Sequence, residues 1–96
     1  MRKLLFISTM ALGLVAGTGN AACYADYKAK RDKPLRLHYG IIELSDNLCA
    51  DKSAAGPEIA ARIGADGWTL LSVQSIFGQD GLKERQDSAG DFYLRY

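Results

Sequence analysis

Residues 57–77 read PEIAARIGADGWTLLSVQSIF and hold the helix, turn and strand on which the fold depends. Ile59 and Ile63 are four residues apart, so on a helix they share one face and point into the core. Pro57 suits the first helical position, where its missing N–H costs nothing, although a start at Ser53 also fits. The stretch therefore predicts a short helix with one apolar face.

A turn and an apolar strand follow this helix. Gly64 is a natural left-handed helix stop, and Gly67 can hold backbone angles that are closed to other residues. Trp68 begins a strand that runs to Phe77 and is apolar on both sides. Its indole is predicted to cover the end of the helix as part of a small core, and a ligand-stacking surface is the alternative.

A second strand is predicted before the helix. Apolar and β-branched residues alternate over residues 35–44, with Leu37 and Tyr39 on one side and Ile42 and Leu44 on the other. Strands of a half-buried sheet are rich in such residues. We therefore expect a strand here, followed by a loop.

The end of the chain predicts a hairpin. Residues 78–90 are polar and punctuated by glycine, which indicates an exposed loop, and residues 91–96 alternate as a last strand. The predicted order is strand, helix, strand, strand, which is a small three-stranded α+β domain with one helix packed on the sheet. Tyr93 and Tyr96 are candidates for an exposed interaction surface.

The beginning of the chain resembles an export signal. Arg2 and Lys3 form a positive start, and an apolar run over residues 4–16 leads into small residues. The run is shorter than the roughly 20 residues that span a bilayer. We predict that residues 1–22 are a cleaved signal peptide and that the protein is periplasmic or secreted; a buried N-terminal helix is the alternative.

The region between the signal and the first predicted strand is polar and basic. Residues 23–36 carry no clear helical or strand period, so they are predicted to be an arm before a domain at residues 37–96. Such charge runs are usually solvated, and contact with an anionic membrane or cell-wall polymer is the functional alternative. One helix covers one sheet face, so the arm or a second copy is expected to shield the other face. This indicates a homodimer.

A disulfide is predicted between Cys23 and Cys49. An even pair in a small exported domain usually forms one, and it would stabilise this domain by about 3.5 kcal/mol through the entropy of the unfolded chain. A lipid-anchored Cys23 and two free thiols are the alternatives. The anchor is disfavoured because Asn20 stands where a lipoprotein signal has a branched apolar residue.

The charge balance bears on the class of partner. Without Arg2 and Lys3, ten basic side chains remain against eleven acidic ones. A near-neutral domain is not the typical nucleic-acid binder, which needs a basic face.

Residues capable of catalysis are few. His38 is the only histidine, and a nucleophilic pair with Cys49 would require that thiol to be reduced and acidified. One histidine and two distant cysteines do not form a zinc site, and no glycine-rich loop precedes a helix to hold phosphate. Three carboxylates lie in the predicted solvated loop: Asp80, Glu84 and Asp87. We therefore predict no catalytic, metal or cofactor site.

Two segments resemble a known family. Residues 39–44, YGIIEL, and residues 63–73, IGADGWTLLSV, are similar to the small bacterial proteins described as domain of unknown function 4177. The likeness covers about residues 37–96, and it implies the same fold but no activity. The export signal, the basic arm, the cysteine pair and the longer first loop depart from that family.

These observations lead to two functional hypotheses. The first is an exported, non-enzymatic protein that acts by contact with an unknown protein partner or with itself. The alternative is a domain that binds a small ligand or the cell envelope through exposed aromatic residues or the basic arm.

Overall fold

The computed structural model describes residues 23–96, so the predicted signal peptide, residues 1–22, lies outside the described residues. Three strands and two helices follow one another along the chain. They are β1 (Cys23–Arg31), β2 (Arg36–Leu44), α1 (Lys52–Gly64), β3 (Thr69–Phe77) and α2 (Leu82–Ala89), with short 3-10 turns at Asp46–Leu48, Gln79–Gly81 and Gly90–Phe92. The predicted three-stranded α+β class is confirmed.

The strands form one antiparallel sheet in the order β2-β1-β3. Tyr27 in the middle of β1 lies opposite Gly40 on one side and Val73 on the other. The sheet therefore has β1 at its centre and β2 and β3 at its edges, with α1 connecting the two edges.

The prediction of a basic arm over residues 23–36 is wrong for residues 23–31, which form the central strand. Alternate side chains of β1 are buried on one face: Cys23, Ala25, Tyr27 and Ala29. Two of the four are alanines, which carry little hydrophobic signal, and the charged residues Asp26 and Lys28 stand between them. The domain accordingly includes residues 23–36 as well as residues 37–96.

Helix α1 covers the first face of the sheet. Ala55, Ile59 and Ile63 are fully buried on it, and they pack with Trp68 in the main core. The pairing of Ile59 with Ile63 and the core position of Trp68 agree with the prediction. A helix with a four-residue apolar spacing buries one stripe in this way.

Helix α1 begins earlier than Pro57. The Asp51 carboxylate accepts a hydrogen bond from the Ser53 backbone N–H at 2.8 Å, which caps the first turn, and Pro57 lies inside the helix. Gly64 is the last helical residue and does not take a left-handed conformation. Gly67 does, with φ of 84°, so the turn into β3 depends on Gly67.

The prediction of a loop over residues 78–90 and a last strand over residues 91–96 is wrong. Helix α2 occupies most of the loop, and its Leu82, Arg85 and Ala89 share a face by their spacing. The last residues run beside β2 with a single parallel bridge between Tyr93 and Ile41. The good helix formers of α2 outweigh the glycines that flank it.

Candidate interaction surface

The second face of the sheet is divided into a covered half and a bare half. Helix α2 lies over the covered half, where Ile41 is fully buried and the Arg85 guanidinium stacks on the Phe77 ring at 4.0 Å. The bare half lies toward the β1–β2 turn. The open face that one helix leaves is therefore only partly filled by the second helix.

A buried carboxylate joins α2 to the sheet. Asp26 accepts hydrogen bonds from the Tyr39 hydroxyl at 2.7 Å, the Ser75 hydroxyl at 2.6 Å and Arg85 Nε at 3.3 Å. Burial alone would raise the pKa of Asp26, but these hydrogen bonds and the Arg85 charge hold it below its ordinary value. All three donors come from the protein itself, which is typical of a structural anchor.

The bare half of the second face exposes aliphatic side chains. Leu35, Leu37 and Leu71 are 63%, 66% and 51% exposed, and we call them the leucine patch. Leu37 and Leu71 line a shallow groove of about 300 Å³, together with Lys28, Ala29, His38 and Tyr39. Leu37 and Leu71 therefore adjoin across the groove, and Leu35 lies two residues before Leu37 in the chain. Adjoining exposed leucines mark contact surfaces more often than isolated ones do.

Positive charge is concentrated beside the leucine patch. Between residues 28 and 37, five basic side chains stand against Asp32 alone: Lys28, Lys30, Arg31, Lys33 and Arg36. Lys30 pairs with Asp32 at 3.2 Å, and Arg31 binds Asp66 and stacks on Trp68. Within residues 23–96, Lys28, Lys33 and Arg36 form no ion pair, so their charges face solvent.

The two edges of the sheet differ. The outer edge of β2 is partly covered, because Tyr93 bridges to Ile41 and the Leu94 N–H donates to the Ile41 carbonyl at 2.9 Å. The outer edge of β3, which we call the free edge, has no strand beside it among residues 23–96. It runs for nine residues, TLLSVQSIF, without a charge, a proline or a glycine.

The lone histidine lies in an aromatic cluster on the first face. His38 stacks on Phe92 and meets Trp68 edge-on, and its Nε2 lies 3.0 Å from the Tyr27 hydroxyl. Burial, with Arg31 and Arg95 nearby, lowers the pKa of His38 to about 4. Its side chain is 8% exposed, so it is a neutral core residue with little access to a substrate.

Cys23 and Cys49 form the predicted disulfide, with Cα atoms 5.9 Å apart. Sγ of Cys23 is therefore not free to carry a lipid, and Cys49 is not a free nucleophile. The bond joins the start of β1 to the loop before α1, and Cys23 itself is buried. The disulfide is compatible with an oxidising compartment outside the cytoplasm.

The tyrosines predicted to be exposed are both half-buried. Tyr93 lies against β2, and Tyr96 packs on the main core. The Tyr96 hydroxyl donates to Asp66, and its main-chain oxygen accepts from Arg62 at 2.7 Å. Tyr93 and Tyr96 therefore do not form the exposed interaction surface that was predicted for them. The leucine patch and the free edge were not predicted from the sequence.

Within residues 23–96, no group of three His, Cys, Asp or Glu side chains is placed to hold a metal ion. None of the helices in this part of the chain has the length and apolar character needed to cross a membrane.

Comparison with protein-family models, curated proteins and solved structures finds no match to this chain. The resemblance to domain of unknown function 4177 stays a prediction.

Proposed function

We propose that this chain is a small non-enzymatic protein of the bacterial periplasm or exterior that acts by protein–protein contact. Its favoured contact is with itself, through the free edge of β3. The export pattern of residues 1–22 and the Cys23–Cys49 disulfide support this compartment. The compartment and the contact are separate parts of the proposal.

The free edge is the observation that carries the self-association. An unpaired strand presents a row of backbone N–H and C=O groups to any strand that can reach it. Native proteins usually blunt such an edge with lysine, proline or a covering segment. The last residues of this chain cover part of the β2 edge, whereas β3 has no lysine, proline or covering segment among residues 23–96. The pairing of β3 with β1 is interrupted at Leu71 and at Gln74, and pairing at the free edge would have to accommodate these two irregularities.

A second copy suits this edge because the pairing is self-complementary. In a symmetric antiparallel pair centred on Val73, Thr69 of one copy lies opposite Phe77 of the other. No like charges meet, because the strand carries none. The result would be one continuous six-stranded sheet with an isologous interface.

The non-enzymatic part of the proposal is supported by the state of the residues that were candidates for catalysis. His38 is buried and neutral, and Cys49 is held in the disulfide with Cys23. The alternative function, binding of an envelope component, is favoured by a separate observation, the cations beside the leucine patch.

The test is the mass in solution of the exported protein and of two matched variants, measured by light scattering over a concentration series. Gln74→Lys adds a charge at an exposed position of the free edge, and Gln86→Lys adds the same charge on the exposed side of α2. We expect a dimer for the unchanged protein and for Gln86→Lys, and a monomer for Gln74→Lys. A monomer at every concentration, or a dimer that tolerates Gln74→Lys, would refute the pairing.

A further inference from the structure

We propose that the leucine patch and the basic turn beside it dock on the surface of a membrane that contains anionic lipids. The surface consists of Leu35, Leu37 and Leu71 with the cations between residues 28 and 36. It lies on the second face of the sheet and at the β1–β2 turn, and it shares only Leu71 with the free edge of β3.

The first argument is the pairing of aliphatic and basic side chains. In the register of the hairpin, Lys30 lies opposite Leu37, and Lys28 lies opposite Tyr39. Lys28 also lines the groove with Leu37 and Leu71. A lysine can lay its aliphatic chain along an apolar surface and keep its ammonium group in water. When the leucines enter the outer part of the lipid acyl chains, such an ammonium group lies at the level of the lipid phosphates.

The second argument is the distribution of charge over the whole domain. Residues 28–37 carry five basic side chains and one acidic one, while the rest of residues 23–96 carry five basic and ten acidic ones. A domain that is nearly neutral in total therefore has one strongly positive end. An anionic surface attracts that end and repels the other, which orients the domain with the β1–β2 turn toward the membrane.

The third argument is the kind of apolar residue at this end. The exposed side chains are leucines, and the aromatic rings of Trp68 and Phe92 are engaged elsewhere in the core. Single-stranded nucleic acid is bound by stacking on exposed aromatic rings. The tyrosine that lines the groove, Tyr39, is half-buried, and its hydroxyl donates to Asp26 at 2.7 Å. Aliphatic tips beside unpaired cations are the composition of a peripheral membrane contact.

The experiment is co-sedimentation of the exported protein with vesicles. One set contains phosphatidylcholine alone, and the other contains phosphatidylcholine with a third of phosphatidylglycerol. We expect binding to the anionic vesicles only, with a loss when salt is raised. The double variant Leu35→Ser, Leu37→Ser and the variant Lys28→Glu are expected to lower the bound fraction several-fold.

Two variants serve as matched controls. Leu94→Ser removes an exposed leucine beside the β2 edge, and Lys83→Glu reverses an exposed charge on α2. Both are expected to bind as the unchanged protein does. Circular dichroism of every variant checks that the fold is kept.

Equal binding to both vesicle types, no binding to either, or binding that survives the double variant would overturn the proposal. If the unchanged protein does not bind vesicles but binds a purified protein partner that the double variant no longer binds, the patch is a protein contact and the membrane contact is refuted. Neither Leu35 nor Leu37 belongs to β3, so the mass of the double variant reports separately on self-association. The two proposals can therefore fail independently.

Discussion

The imidazole of His38 lies flat against the phenyl ring of Phe92, with centroids 3.7 Å apart and planes within 5°. Phe92 belongs to the segment after α2, so this stacking holds the end of the chain against the sheet. Trp68 meets both rings edge-on, at 4.3 Å from His38 and 5.5 Å from Phe92. The end of the chain is thereby tied to the main core.

Phe92→Ala is expected to lower the free energy of unfolding by about 2 kcal/mol, since a half-buried phenylalanine loses less than a fully buried one. Urea unfolding followed by circular dichroism measures this. Leu94→Ala, at an exposed neighbour, is the control and should change stability by about 0.5 kcal/mol or less. Equal effects of the two substitutions would contradict a core role for Phe92.

Stability is expected to fall in acid because of His38. Its pKa is about 4 in the folded protein and 6.5 in the unfolded chain, so the unfolded chain binds more protons between these values. The folded state is at full stability above pH 6.5 and loses up to about 3 kcal/mol as the pH falls to 4. Protonation would also place a cation beside Arg31 and Arg95.

Asp26 adds to the acid sensitivity at lower pH. Its pKa is lowered in the folded state, so its contribution is present above the ordinary carboxyl pKa and is lost as pH falls through the folded value. NMR titration of the single imidazole follows His38 alone, so it separates the contribution of His38 from that of Asp26. A His38 titration midpoint near 6.5 would contradict the buried, neutral histidine.

Gly40→Ala is expected to destabilise the protein by about 2 to 4 kcal/mol. An added Cβ would lie 2.5 Å from the Tyr27 hydroxyl oxygen and within 2.9 Å of two ring carbons, in a buried site where neither residue has room to move. Gly64→Ala is the matched control, because it is the last residue of α1 and nothing lies within 4 Å of its added Cβ. It should be neutral or stabilising by up to about 1 kcal/mol.

The disulfide should be present in exported protein. Non-reducing mass spectrometry is expected to find the chain two hydrogens lighter than its reduced form. Cys23→Ala with Cys49→Ala should lower the free energy of unfolding by about 3.5 kcal/mol, because the unfolded chain gains the freedom of the opened loop. Two alkylatable thiols, or a diacylglycerol adduct on Cys23, would contradict the bond.

Much of the fold could be predicted where side chains are large and their spacing is regular. Strand β2 and strand β3 lie within one residue of their predicted bounds, and Ile59, Ile63 and Trp68 meet in the core. Strand β1 was missed because its inward positions are mostly small. A buried alanine is recognised only once the neighbouring strands are known, and the sequence alone does not show which strands are neighbours.

The second helix was missed for a different reason. Only Leu82 and Ala89 are apolar on α2, and its third inward residue, Arg85, is held by Asp26 and Phe77. A charged side chain on the inner face gives no hydrophobic period. The leucine patch and the free edge depend on which strands are neighbours, so they became visible only with the strand order.

The most direct measurement for the central claim is amide hydrogen exchange of the exported protein at low and high concentration. Pairing of the free edge predicts that amides between Thr69 and Phe77 become more protected as concentration rises, while those of α2 do not change. Exchange in β3 that is the same at both concentrations would contradict self-association through this strand.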